Sequence, residues 1–341
     1  MATIDDVSKR AGVSRSTVSR VIADNGYVSD AKRRAIQQAI TELGYRPNTL
    51  AQALRSNRSN MIGSVVVDVG TPFYADMVGG IQAACRKAGK SLVVSSGFAS
   101  QEEESRAIIE LVDRSCDGLV LYLEHPIRGD VVAILRQASI PVVVIGSNEN
   151  AIASGAVLID NAGGAALAVQ HVLDLGHRNI AYLSGQLEYR DTRSRLAGIE
   201  AALPVYGLSL SDLHIVHGQY SEKFGFAAIA DMLASHPGIT AVLAGDDDIA
   251  AGALLALKHH GRRVPEDVTL VGFDDNFHAR HLTPALTTIR QPVFDAGRSA
   301  AEMLVAILGS QAVTENEIIV PTYLVERATA APPAQRERRT G

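Results

Sequence analysis

The stretch from Thr3 to Asp24, TIDDVSKRAGVSRSTVSRVIAD, constrains the chain more than any other, because its spacing and turn residues call for two short helices joined tightly. Thr3 can cap the first helix, with Asp6 three residues on in a capping-box arrangement. Val7 and Ala11 then recur four apart on one face. In Ala11-Gly12-Val13-Ser14 the glycine permits the left-handed backbone of a helix C-terminus, and Ser14 can cap the next helix. That second helix buries Val18, Val21 and Ile22 and leaves Arg15, Ser16, Thr17, Ser19 and Arg20 outward near its start. Arg can read guanine, and Ser or Thr can take a base edge or a phosphate, so this face suits a DNA major groove. An amphipathic helix pair with a solvated basic face would look the same over these residues alone. The continuation narrows the choice: Ser29 caps a third helix, Asp30–Leu43, carrying Ile36, Ile40 and Leu43 at helical spacing with Gly44 as its stop. Tyr45-Arg46-Pro47-Asn48 then breaks the chain, and Asn48 caps a short piece, TLAQALRSN.

Charge supports the same division. The whole chain of 341 residues has a net charge of −5, which by itself argues against a nucleic-acid partner. Yet residues 1–60 hold ten Lys/Arg against five Asp/Glu, while the remainder holds 22 against 32, so the tip is basic and the body acidic. The two cysteines, Cys85 and Cys116, lie in apolar helix or helix-end contexts, so buried free thiols and a reducing compartment are expected. No secretory leader or membrane-length apolar run is read, and a cytoplasmic protein acting on the nucleoid is expected.

Four spaced motifs, DVSKRAGVSRSTVSRV, NGYVSDAKR, LGYRPN and LAQALRSNRS, give residues 1–60 a resemblance to the headpiece of the LacI/GalR family of bacterial transcription regulators. The resemblance continues to about Arg327. It implies an all-α helix-turn-helix headpiece over 1–46 and a hinge helix and linker over 47–60. It further implies an effector-binding body over 61–327 of two parallel-sheet lobes, resembling a periplasmic sugar-binding protein. The hinge segment Asn48–Ser56 is too short to be stable alone in water, where helices under about 12–15 residues are marginal. In the family two such hinges pair in the minor groove, each wedging a leucine into the central base step. Leu54 is the matching position here, with Arg55 beside it as a minor-groove or phosphate contact. The resemblance makes Arg15, Ser16 and Arg20 the expected base contacts, and Thr17, Ser19 and Asn25 contacts to phosphate or the turn. Ala23 stands where the family often has asparagine, so one backbone contact is in doubt.

From Met61 the pattern alternates strand and helix. Apolar strands are read at Ile62–Val69, Ser91–Ser96, Gly118–Leu123 and Pro141–Gly146, with helices at Phe73–Ala88, Glu102–Ser115 and Val131–Ala138. Such alternation predicts a parallel sheet covered on both faces. It restarts at Ala156–Asp160 and runs through strands near Ile180–Ser184, His214–Val216, Ile239–Ala244 and Val268–Phe273, making an α/β bilobed body. Three crossings between lobes are implied by the resembled fold. The first lobe is then expected at about 61–158 and 291–316, including Pro292–Leu308. The second is expected at about 159–290 and 317–327, including a last strand over about Ile318–Glu326. Ala328–Gly341 is Pro/Ala-rich and charged and reads as a disordered tail without heptads.

Ligands of open α/β sheets bind beyond the carboxyl ends of strands, which places a site in the cleft between lobes. The first strand ends in DVGTPFY, where Pro72 starts a helix and Phe73 and Tyr74 offer aromatic faces for the C–H face of a sugar. The family has DPFF there, so the polar residue before the proline differs. In the second lobe Arg195 matches the family's arginine three residues before a glycine, and Asp191 the acid four residues upstream in galactose-type regulators. GDDDIAAG matches NDxxAxGA with Asp246 at the asparagine position, and VGFDD places Asp274 at the family's ligand acid. Helix capping is the alternative role for Asp246 and Asp274. Several acids in one cleft suit a neutral polyol better than an anion, against a phosphorylated sugar or a purine-like ligand. No GxSxG or HExxH occurs, Ala84 replaces the first glycine of a P-loop ending Gly89-Lys90-Ser91, and the histidines lack zinc spacing, so neither metal nor cofactor is expected. The expectation is a non-enzymatic, homodimeric, sugar-responsive regulator, most often a repressor in this family, that binds palindromic operator DNA. Its effector would be of the galactoside or glucoside class, and its dimer would form through helices such as Phe73–Ala88. A transport component or a glycoside-cleaving enzyme are the rivals.

Overall fold

Three helices build the N-terminal unit: α1 (Ile4–Ala11), α2 (Arg15–Ile22) and α3 (Asp30–Leu43). The computed structural model describes residues 2–22, 25–46, 58–147, 152–311 and 315–334. Its chain separates into two units, 1–60 and 61–341, each considered by itself. The expectations for Ala23, for the hinge Asn48–Ser56 and for its Leu54 and Arg55 fall outside the described residues.

In the first unit Thr3 and Asp6 close a reciprocal capping box, and Gly12 ends α1 at φ 64°, a left-handed value that a Cβ would disfavour. Ser14 Oγ accepts the Thr17 backbone N–H at 3.2 Å, so it caps α2. Val7, Val18, Val21, Val28, Ile36 and Ala39 form one small core, which fixes the angle between α1 and α2 against α3. Burial of Val28 anchors the loop before α3 while leaving Tyr27 91% exposed.

The body alternates β1 (Met61–Val66), α4 (Pro72–Lys87), β2 (Ser91–Ser96), α5 (Gln101–Asp113), β3 (Gly118–Tyr122), α6 (Gly129–Ala138), β4 (Val142–Ile145) and β5 (Ala153–Ile159). It continues with α7 (Asn161–Asp174), β6 (Ile180–Gly185), α8 (Arg190–Ala202), β7 (His214–Gly218), α9 (Glu222–Ser235), β8 (Ala241–Ala244), α10 (Asp247–His259), β9 (Thr269–Asp274), α11 (Phe277–His281) and β10 (Thr287–Arg290). The last elements are α12 (Val293–Leu308), β11 (Glu317–Val320) and β12 (Tyr323–Val325). Two six-stranded sheets result, ordered β11-β5-β4-β3-β1-β2 and β12-β10-β9-β8-β6-β7, and both are parallel apart from the antiparallel β10–β12 pair. The central strands β3, β4, β6 and β8 are buried along their whole length because helices cover both faces, while the edge strands β2, β7 and β11 are partly exposed. In the first sheet Val120 and Val143 face one core while Leu119, Leu121, Val142 and Val144 face the other. Helix α12 packs on α4, where a Cβ on Gly80 would collide with the Phe294 carbonyl, so only glycine allows this approach.

Two expectations about the C-terminal segment are corrected. The single strand expected over Ile318–Glu326 divides, because Pro321 has no N–H to continue a ladder; β11 joins the first sheet beside β5, and only β12 joins the second. The disordered tail expected from Ala328 does not begin there: Thr329 is fully buried, donates to the Leu270 carbonyl at 2.7 Å and accepts the Thr287 N–H at 2.7 Å. Ala331 follows, its carbonyl accepting from Thr269 Oγ1. These backbone partners hold what composition alone reads as loose. Among the described residues no helix is long and apolar enough to cross a membrane, and no three or more His, Cys, Asp or Glu are grouped to hold a metal ion.

Candidate functional site

The carboxyl ends of the two sheets face each other across a cavity of about 350 Å³. That size is at the lower end of the usual small-molecule range of roughly 300–1,000 Å³. The first lobe supplies Phe73 and Tyr74 from the start of α4, Tyr122 from the last position of β3, and Glu124 just beyond it. Pro72 at the first helical position sets the turn that carries the two aromatic rings inward. Phe73, Tyr74 and Tyr122 form a mutual edge-on cluster, with ring centroids 5.0, 6.2 and 5.4 Å apart. The second lobe supplies Tyr189, Asp191 and Arg195 around the start of α8, Gln219 and Tyr220 after β7, Asp246 and Asp248 after β8, and Asp274 and Asn276 after β9. Tyr189 and Tyr220 stack at 5.9 Å.

Arg195 is the electrostatic centre. Its Nε donates to Asn161 Oδ1 at 2.7 Å, and one terminal nitrogen donates to the Gly245 carbonyl at 2.5 Å. The other lies 3.6 Å from Asp274 and 4.0 Å from Asp191, and the guanidinium sits 3.9 Å over the Phe273 ring. Burial pushes the Asp274 carboxyl up to about 7, against the pull of Arg195 and of the Gln291 amide, which donates to it at 2.5 Å. Asp246 is likewise driven well above the carboxylate range by burial and by Asp274, although its oxygen accepts the Ile249 N–H at 2.7 Å. Asp246 therefore caps α10 and lines the cleft at once. Asp274 carries φ 113°, outside any region an L-residue favours, and strain of this kind concentrates where function fixes a side chain.

Not every acid in the two acidic runs faces the ligand space. Asp247 is fully buried and accepts from Thr288 Oγ1 at 2.6 Å and from the Asn276 N–H at 2.8 Å. Asp275 is paired with Arg290 and Arg327 and ties β9 to β10 and to the chain beyond β12. The structure brings all six sequence-predicted cleft residues, Phe73, Tyr74, Asp191, Arg195, Asp246 and Asp274, to one cavity. Tyr122, Glu124, Tyr189, Gln219, Tyr220, Asp248 and Asn276 line it as well and were not selected from sequence. The strand-end rule, carried through β7 and the two residues after it, would have found Gln219 and Tyr220.

In the N-terminal unit Arg15, Ser16, Arg20 and Asn25 are exposed and Thr17 and Ser19 half-buried. Ser16 and Thr17 hydroxyls each lie 2.8 Å from Ser14 Oγ, so the cap also orients them. Arg15 is 3.7 Å from Asp5, an exposed pair that a phosphate could replace at little cost.

Residues 3–48 match the model of bacterial regulatory proteins of the lacI family, and residues 169–330 that of a periplasmic binding protein-like domain. The HTH-type transcriptional regulator GalR of Salmonella typhimurium (strain LT2) is 34% identical, covering 98% of this chain and 97% of its own. The chain belongs to the LacI family. The HTH-type transcriptional repressor PurR of Erwinia tasmaniensis is also 34% identical, over 99% of this chain and 100% of its own. A lac repressor dimer, crystallised with operator and the anti-inducer ONPF, superimposes with a TM-score of 0.85 at 30% identity, covering 97% of this chain and 99% of that one. This LacI-family member is accordingly a DNA-binding transcriptional regulator controlled by a small molecule, and the enzyme and transport readings fall away. Relatives named for different regulons stand at equal identity, so the choice of effector has to be argued from the cleft.

Proposed function

We propose that this LacI-family regulator binds a palindromic operator as a homodimer and that a hexose or hexoside of the galactoside or glucoside class controls its grip. The aromatic faces and acids opposed across one cavity, with a single arginine already committed to protein partners, carry this reading. Phe73, Tyr74 and Tyr220 offer faces to sugar C–H groups, and the carboxylates of Asp191, Asp246 and Asp274 accept from hydroxyls. Among the described residues lining the cavity Arg195 is the one Lys or Arg an anionic ligand would meet, and it is spent on Asn161, Gly245 and the acids themselves. In the headpiece Arg15, Ser16 and Arg20 read base edges, and Thr17, Ser19 and Asn25 fix the register on phosphate. Leu54 wedges a base step and Arg55 lies in the minor groove. The dimer forms through first-lobe helices such as α4, giving the two-fold axis a palindrome requires. The protein acts in the cytoplasm on the nucleoid, most simply as a repressor released by its sugar.

Occupancy shifts the lobes between two arrangements. A differential affinity of about 3 kcal/mol would change operator binding roughly 150-fold. Calorimetric titration with a panel of mono- and disaccharides, with and without operator duplex, tests the reading. One sugar should bind and weaken the DNA complex, and Leu54→Ala should weaken operator binding while sugar binding persists. A protein that ignores every palindrome of its regulated promoters at modest salt, with or without sugars, would refute the proposal.

A further inference from the structure

Four of the five acids lining the cleft have a protein donor. Asp191 accepts from the Tyr122 hydroxyl at 3.0 Å, Asp246 from the Ile249 N–H at 2.7 Å, Asp248 from the Asn276 amide at 3.1 Å and Asp274 from the Gln291 amide at 2.5 Å. The Glu124 carboxylate differs: among the described residues no donor or cation lies within hydrogen-bonding distance of it. The backbone that carries it is held. Glu104, itself buried, accepts the Glu124 and His125 backbone N–H groups at 3.0 and 3.3 Å, which fixes the turn after β3 and adds a second negative charge behind it. Glu124 lines the same cavity as Asp191, whose charge acts on it, and Arg190 and Arg195, which oppose that charge, each have partners of their own. Tyr74, Tyr122 and Tyr189 line the same cavity, and each of their hydroxyls feels the Glu124 charge.

A donorless carboxylate lining the same cavity as a second carboxylate and tyrosine rings can take a hydroxyl, but it takes an ammonium group more strongly. Carboxylates form their stronger hydrogen bonds with charged donors, and aromatic faces attract cations. We propose that the effector is an amino sugar, a hexosamine or hexosaminide whose protonated amine sits between Glu124 and Asp191. The inference rests on the reading of this cleft as a sugar site. It places the sugar ring over Phe73 and Tyr74 with its hydroxyls toward Asp246 and Asp274, and it gives Glu124 the part of specificity-determining residue. Burial and the like charges of Asp191 and Glu104 push the Glu124 carboxyl up to about 7, a penalty that a bound cation would remove.

The test uses the full-length protein in calorimetric titrations at pH 7 and low salt. Glucosamine, galactosamine and the glucosamine β-1,4 disaccharide are compared with the parent neutral sugars and with the N-acetylated forms. The expected result is at least tenfold tighter binding for one amine than for its neutral parent and its N-acetyl form, with that preference shrinking as salt is raised. Glu124→Gln should weaken the amine at least tenfold more than it weakens the neutral parent. Equal or tighter binding of neutral or N-acetyl sugars by the wild-type protein would overturn the amine assignment and leave the sugar site standing. If no sugar of either kind binds, the sugar reading itself fails and the amine falls with it.

Discussion

Replacing Arg195 by methionine removes the one cation buried among the cleft acids while keeping a long apolar stem over Phe273. The loss has two parts. The hydrogen bonds to Asn161 and to the Gly245 carbonyl disappear, worth about 1–2 kcal/mol together at any pH. Among the described residues lining the cavity the acids then lose their one buried counter-charge, and breaking a buried pair costs roughly 3–5 kcal/mol when the remaining partner must stay charged. Whether it must stay charged depends on pH. In the native protein Asp274 already titrates near 7 instead of 3.8, because burial outweighs Arg195. A carboxyl raised in this way favours the fold fully below its unfolded value, and that contribution fades as pH rises toward the folded value. From about 3.8 to 7, at roughly 1.4 kcal/mol per pH unit, the fading amounts to on the order of 4 kcal/mol. Without Arg195 the folded value moves higher still, so the decline continues past pH 7 in the variant after it has levelled off in the wild type. Urea unfolding of Arg195→Met should show a deficit of about 2 kcal/mol at pH 5, growing to about 3–4 kcal/mol at pH 8, with an unchanged m-value. Sugar binding should be lost at both pH values, and operator binding should persist but no longer respond to sugar. A deficit of the same size at pH 5 and pH 8 would refute the claim that Arg195 serves chiefly to keep these acids ionisable.

Other residues offer sharper single-contact tests. Ser14→Ala removes the cap on α2 and the hydroxyl that positions Ser16 and Thr17; thermal unfolding of the variant should report about 1 kcal/mol of lost headpiece stability, and gel-shift titration should show weaker operator binding. Thr329→Val leaves the buried Thr287 N–H and Leu270 carbonyl without partners, and chemical denaturation should register a cost of about 1–3 kcal/mol, whereas a truly loose tail would give none. Tyr122→Phe deletes the hydrogen bond from the first lobe to Asp191 in the second, and sugar titration should show an affinity loss of about tenfold with little change in unfolding midpoint.

Local rules read the headpiece almost completely, and the reasons are visible residue by residue. Thr3 with Asp6, Gly12, Ser14 and Gly44 each satisfy or end a helix within a few positions, whereas Ser29, expected to cap α3, stands at the N-cap position without a side-chain cap hydrogen bond. Body strands are as legible wherever both faces are buried, as in Gly118–Tyr122, because a continuous apolar run leaves little else. Legibility fails where one residue has two duties or where partners are far apart. Asp246 is both a cap and a cleft acid, and spacing cannot separate those roles. Thr329 looks like tail until Leu270 and Thr287, over forty positions away, take its hydroxyl. Tyr220 escapes because it sits two residues beyond a short strand with no motif, yet its hydroxyl lies 2.7 Å from Thr192, beside Arg195.

Adjacent acids with opposite fates show how the cleft is tuned. Asp274 and Asp275 are neighbours, both at positive φ, yet Asp275 is locked between Arg290 and Arg327, while Asp274 has the Gln291 amide and Arg195 at 3.6 Å and burial still outweighs both. The same division recurs after β8, where Asp247 is spent on Thr288 and the turn before α11, and Asp246 and Asp248 look into the cavity. One acid of each run builds a rigid floor, and another rests on it with its charge imperfectly satisfied. An unsatisfied buried charge costs several kcal/mol, so the empty cleft stores a penalty that a ligand rich in donors relieves by binding. Relief depends on the two lobes closing on the same molecule, since Glu124 lies on one and Asp191, Asp246 and Asp274 on the other. Differential affinity between open and closed arrangements, which any allosteric response requires, then follows from where the charges stand. On this view Asp274→Asn, which neutralises the strained acid without changing its size, should raise the stability of the sugar-free protein at pH 8 by about 1–3 kcal/mol while weakening sugar binding. A variant both less stable and weaker in binding would mean that Asp274 is a structural acid like its neighbour, and the floor-and-charge division would have to be abandoned.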